Sequence, residues 1–169
     1  MGIFQIDAEE FEWIDGTKDN PQDLCLHGLA VAVIGPETFE YGATISATAL
    51  YLLKTLTQDH IIYKDNQMLP CCGHSVIPNE DLTNVDIWGC SNGIDWSVIH
   101  MADRVKLVTE SGKETEVSLE EYRREVYKFA DKVEAFYQKC TPKEFSGDEY
   151  EKRAYTAFWN EWHRRRYEG

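Results

Sequence analysis

The sequence predicts an α+β fold: an antiparallel β-meander sheet packed by two C-terminal amphipathic helices, plus one buried helix in the N-terminal half. Three observations lead there. β-rich runs separated by turn residues fill positions 85–117, two stretches of helical periodicity follow behind capping boxes, and a small-residue apolar pattern occupies 41–56. The 169 residues suit a single domain, 1–169, and no Pro/Gly/Ser-rich linker divides them.

In chain order, "FEWID" (11–15) reads as a short strand ahead of the polar loop "GTKDNPQD". "LCLHGLAVAVIG" (24–35) is nearly continuously apolar, rich in Val and Ile and closed by Gly35-Pro36, the pattern of a strand covered on both faces. "YGATISATALYLLKTL" (41–56) reads as a helix whose apolar residues cover most of its circumference, which places it inside the fold. Residues 61–83 are irregular, broken by Pro70 and Pro78.

Asn92-Gly93 lies between two β-rich runs, the strongest short-range hairpin signal. That turn pairs Ile87 with Val98 and Gly89 with Trp96. One face then carries Val85, Ile87, Trp96, Val98 and His100. A second turn at Ala102-Asp103 sets Val105 and Leu107 beside them. A three-residue loop, Ser111–Lys113 with Gly112 left-handed, adds a fourth strand and places Val117 opposite Leu107. "SLEE" (118–121) and "SGDE" (146–149) are capping boxes. Behind them come the stripes Tyr122, Val126, Phe129, Val133 and Tyr150, Ala154, Phe158, Trp162.

Composition narrows the function. Thirty acidic against seventeen basic residues give a net charge of −13, which repels a phosphate backbone and argues against nucleic-acid binding. Residues 1–60 hold ten acids against only Lys18 and Lys54, so an acidic surface suited to a basic protein partner is expected there. "MGIFQIDAEEFEW" lacks a basic segment followed by an apolar one, and "ATISATALYLL" (43–53) is about half a bilayer span. A cytoplasmic protein without a membrane segment is the expectation, its five cysteines reduced. Glu9, Glu10 and Glu12 have nothing to fix them as a paired-carboxylate site. Walker loops, dinucleotide fingerprints, G-x-S-x-G elbows and HExxH are all missing from the sequence.

"LPCCGHSVIP" (69–78) is the densest reactive stretch. Cys71 and His74 have the two-residue gap common in zinc sites, and Cys90 follows in the next strand. Cys71, Cys72, His74 and Cys90 are therefore the candidate metal ligands, zinc the candidate ion, with His100 or the pair Cys25 and His27 as remoter additions. The same residues offer a cysteine nucleophile with a histidine base. Equally, buried cysteine ordinarily acts as a small hydrophobe, and Gly73 marks a turn.

The other face of the meander supplies a second candidate. Trp88, Asp95, Ser97 and Ile99 could form a half-open binding surface, His100 of the apolar face is a further candidate binding residue, and a ligand pocket under Trp88 and Trp96 is the third alternative. Trp159 with "HRRR" makes an aromatic-basic helix end able to grip a carboxylate or phosphate. The expected function is a small acidic protein that binds a protein partner, as an inhibitor, immunity or adaptor protein does. A metal site or cysteine-dependent enzyme, and a small-ligand binder, are the alternatives.

Overall fold

A computed structural model describes residues 3–168. The elements run β1 (Phe4–Glu12), β2 (His27–Ile34), β3 (Glu37–Thr44), α1 (Ile45–Lys54), β4 (Leu69–Pro70), β5 (Ser75–Pro78), β6 (Val85–Trp88), β7 (Gly93–Ile94), β8 (Trp96–Met101), β9 (Arg104–Thr109), β10 (Glu114–Ser118), α2 (Leu119–Lys139) and α3 (Glu149–Tyr167). All strand pairs are antiparallel, in the orders β1-β2-β3, β10-β9-β8, β4-β7 and β5-β6. The α+β class with three helices is as expected.

Strand β1 begins earlier than the aromatic run "FEWID" suggested. Phe4, Ile6 and Ala8 alternate inward against exposed neighbours, a period-2 pattern that ends where Glu10 takes a positive φ of 55° and the pairing with β2 slips. Strand β2 alternates too: Ala30, Ala32 and Ile34 are buried, whereas Leu29, Val31 and Val33 are half-buried, so only one face is sealed. The chain reverses at Gly35, φ 57°, into β3, and the expected helix starts four residues late because "ETFEYGAT" pairs with β2 along its whole length. The remaining helix matches its pattern, since every residue from Ile45 to Leu53 is buried.

Asn92-Gly93 does not close a β6–β8 hairpin. Strand β6 pairs instead with β5, Val76 opposite Ile87, and Gly93 pairs with Pro70. The free edge of β8 is taken by His60, whose backbone exchanges hydrogen bonds of 2.9 and 2.8 Å with Val98. The inward set survives this change of partner, because period-2 alternation belongs to each strand: Val85, Ile87, Trp96, Val98, Val105, Leu107 and Val117 are all buried. The turn at Ala102-Asp103 pairs Met101 with Arg104. The next loop has three residues, as expected, but they are Glu110–Gly112. Thr115 rather than Val117 therefore faces Leu107, and Gly112 is left-handed at φ 85°.

Ser118 caps α2 by accepting from the Glu121 N–H at 3.1 Å. For α3 the cap is Asp148, two residues beyond the expected Ser146. Ser146 and Gly147 both adopt positive φ and form the turn that delivers Asp148 to the Glu151 N–H. Helix α2 packs on β1, β9, β10 and α1, and α3 on α1, β5 and β6, closing one core around α1. Among the described residues no helix is long and apolar enough to cross a membrane.

Candidate functional site

The two-residue ladder of β4 with β7, extended by a Cys71 N–H donating to the Asn92 carbonyl at 3.2 Å, lays the loops after β4 and β6 side by side. Two glycines permit this approach. A Cβ on Gly89 would lie 2.3 Å from the Cys72 carbonyl oxygen, and one on Gly93 would lie 2.5 Å from that of Leu69. Asn92-Gly93, which looks like a hairpin turn in sequence, is thus a close-packing device.

The sulfurs of Cys71, Cys72 and Cys90 consequently lie within 4.8 Å of one another, all three residues half-buried. Cys71 and Cys72 sulfurs are 3.9 Å apart, and the Cys90 N–H donates to the Cys72 sulfur at 3.0 Å. Hydrogen bonds from the Cys71 and Cys72 thiols, then the backbone at Asn92, bring the Cys90 thiol down to about 7. Cys71 is pushed up to about 11 by its hydrogen bond to Cys90 and by burial. One sulfur therefore ionises first and is held by the other two.

Three of the four expected ligands converge; His74 does not join them. Gly73 rides over α1, where a Cβ would sit 2.9 Å from that of Ala47, and His74 beyond it meets His27 with 2.7 Å between their Nε2 atoms. Burial and the neighbouring His74 both lower the pKa of His27, whose Nδ1 is buried without a partner. Cys25 lies apart from the cluster, its thiol pushed up to about 12 by burial.

The expected binding face of Trp88, Asp95, Ser97, Ile99 and His100 is largely closed. Trp88 is 68% exposed, but Asp95 and Ser97 are buried. Residues 60–62 lie over them: Asp95 Oδ1 sits 2.8 Å from His60 Nε2 and accepts from the Met68 and Trp96 N–H groups, while Ser97 Oγ accepts from the Ile62 N–H. Ile99 is half-buried, and His100 Nε2 is 2.7 Å from the Thr55 carbonyl. Trp96 is wholly buried, so it cannot line an accessible pocket with Trp88. At the end of α3, Arg165 bonds Glu161, Arg166 bonds Asp131 and Arg164 bonds the Thr83 carbonyl, so the basic run is engaged within the fold.

The buried pair His60–Asp95 was missed from sequence, since nothing in "TQDHII" marks His60 as the residue that edges β8. Its bonds to three backbone segments make it a structural clamp.

The donor set fits a soft metal ion. Tetrahedral zinc holds thiolates at about 2.3 Å, which separates them by about 3.8 Å, close to the Cys71–Cys72 spacing. The backbone N–H directed at the Cys72 sulfur is the kind of contact that supports a metal-bound thiolate. Among the described residues no fourth His, Cys, Asp or Glu atom joins the group, and the Tyr41 hydroxyl hydrogen-bonds Cys71 beside it.

Fold and cluster together describe an α+β domain carrying a three-thiol cluster. No family model matches the chain, and no curated protein and no solved structure matches it.

Proposed function

We propose that this is a metal-binding protein in which Cys71, Cys72 and Cys90 hold a thiophilic ion such as zinc. The observation that carries the reading is the convergence of three sulfurs within 4.8 Å, with a backbone N–H aimed at one of them. Metal is favoured over a cysteine nucleophile by the company Cys90 keeps, two sulfurs in place of an imidazole base. The bound ion would replace the protons the three thiols otherwise share, so affinity should rise with pH.

Cobalt(II) titration of the reduced protein tests this. Sulfur-to-cobalt charge-transfer absorption should saturate at about one equivalent, vanish in Cys72→Ser and persist in His74→Gln. A wild-type titration without that absorption, or one unchanged in Cys72→Ser, rejects the site.

A second reading, recognition of a basic protein partner, is favoured by the exposed Trp88 beside Asp86 on β6 in a chain of net charge −13. Affinity for such a partner would fall steeply with added salt and with Trp88→Ala. Insensitivity to both would exclude it.

A further inference from the structure

Away from the thiols, a cavity of about 370 Å³ opens between the loop before β2, the start of α1, the Gly73–Ile77 segment and the first turns of α3. The wall that α3 supplies is aromatic. Phe158 is buried, Tyr155 half-buried and Tyr150 56% exposed at the mouth. A tilted contact with Phe145 and an edge contact with Trp159, at 5.6 and 6.2 Å between ring centres, hold the Tyr155 ring in place.

Two carboxylates, Asp23 and Glu151, line the same space. Both act on one point of its lining: after burial, their negative charges are the largest influences raising the pKa of the Cys25 thiol. Asp23 is fixed, its two oxygens accepting from the Ile14 and Cys25 N–H groups at 2.7 and 3.1 Å. Glu151 is different. Its backbone N–H donates to the Asp148 cap, but among the described residues its carboxylate meets neither a cation nor a donor. The neighbouring Lys143, 3.4 Å from the Trp13 ring centre and donating to the Asn20 carbonyl, acts electrostatically on Asp23 and Cys25 but forms no ion pair with Glu151.

Aromatic faces attract a cation through the ring quadrupole, and an unpaired carboxylate at the mouth adds a charge partner. An anion would meet two negative charges here. The net charge of −13 also raises the local concentration of cations around the molecule. We infer that this cavity binds a small organic cation, an ammonium group on an aromatic or aliphatic body, with the body against Tyr155 and Phe158 and the ammonium between Tyr150 and Glu151. The inference is independent of the metal site, because none of the three cysteines lines the cavity.

The test compares phenethylamine with its uncharged counterpart 2-phenylethanol, by calorimetry on the metal-free protein. Phenethylamine should bind about tenfold more tightly than the alcohol. Glu151→Gln should remove most of that preference while leaving the alcohol unchanged. Tyr150→Ala, at an exposed position that folding tolerates, should weaken the amine severalfold. Equal affinities for amine and alcohol, a preference untouched by Glu151→Gln, or no binding of the amine at millimolar concentration would each overturn the inference.

Discussion

The backbone N–H of Cys90 lies 3.0 Å from the Cys72 sulfur and donates to it, across a sequence gap of 18 residues. The same approach of loops lets the Cys71 and Cys72 thiols hydrogen-bond the Cys90 sulfur and stabilise negative charge there. The cluster should therefore lose its first proton at about pH 7, from Cys90, and hold that of Cys71 until about 11. Iodoacetamide labelling mapped by mass spectrometry should show Cys90 reaching half its maximal rate near pH 7. In Cys71→Ala, which removes the donor, the inflection should move up towards the free-thiol value of about 8.5. A native inflection already at that value would mean the other sulfurs do not act on Cys90.

Gly89 is the packing condition for the cluster. Its absent Cβ would fall 2.3 Å from a backbone oxygen, which no side-chain rotation can relieve. Gly89→Ala should cost about 1–3 kcal/mol in urea unfolding, the usual range for overpacking, and should push the Cys90 inflection upward as the loops separate. Gly42→Ala is the control. No atom lies within 4 Å of that position and its φ is not positive, so its effect should stay within about 0.5 kcal/mol. Similar costs at the two glycines would mean that loop approach is not what Gly89 secures.

The contrast between β6 and β8 shows what could be read from sequence. Which residues of each strand face inward follows from alternation alone, so Val85, Ile87, Trp96 and Val98 were legible without any partner. The partner itself was not. Asn92-Gly93 carries the composition of a tight turn, yet its glycine is used for contact with Leu69, a choice made by tertiary packing 24 residues away. The cysteines were legible for a similar reason: Cys71 and Cys72 are adjacent, and Cys90 lies just past the end of β6, so any pairing that joins the two segments gathers them. His74 was misplaced because sequence spacing cannot show that Gly73 carries the chain across α1 towards His27.

The contact of His27 with His74 should make the fold pH-sensitive. His27 is held below the usual imidazole value by burial and by His74, with Asp23 and Glu12 opposing. A histidine whose folded pKa is depressed takes up its proton more readily when unfolded. Its contribution to stability is thus complete above about 6.5 and declines as pH falls below that value. The urea midpoint should drop between pH 8 and pH 5, and His27→Gln should flatten that drop. A slope unchanged in His27→Gln would place the acid sensitivity elsewhere.

Glu161 is 1% exposed, and two of its bonds reach other elements of the core while a third stays within α3. One oxygen accepts from the Val85 N–H at 2.8 Å; the other pairs with Arg165 at 2.7 Å and Lys54 at 3.7 Å. Lys54 in turn donates to the Val85 carbonyl at 3.1 Å, so α1 and α3 grip both backbone groups of the first residue of β6. Replacing one member of a buried ionic group leaves the rest desolvated and unpaired, a cost of about 3–5 kcal/mol. Because Lys54 and Arg165 retain some exposure and can rehydrate, Glu161→Ala should fall at the lower end, about 3 kcal/mol. Glu161→Gln keeps an oxygen for the Val85 N–H and should cost less. The difference between the two variants measures the backbone bond separately from the charge. Because β6 leads directly into Cys90, Glu161→Ala should also raise the labelling inflection of that thiol. A loss below about 1 kcal/mol in Glu161→Ala would mean that β6 is held by its apolar face alone.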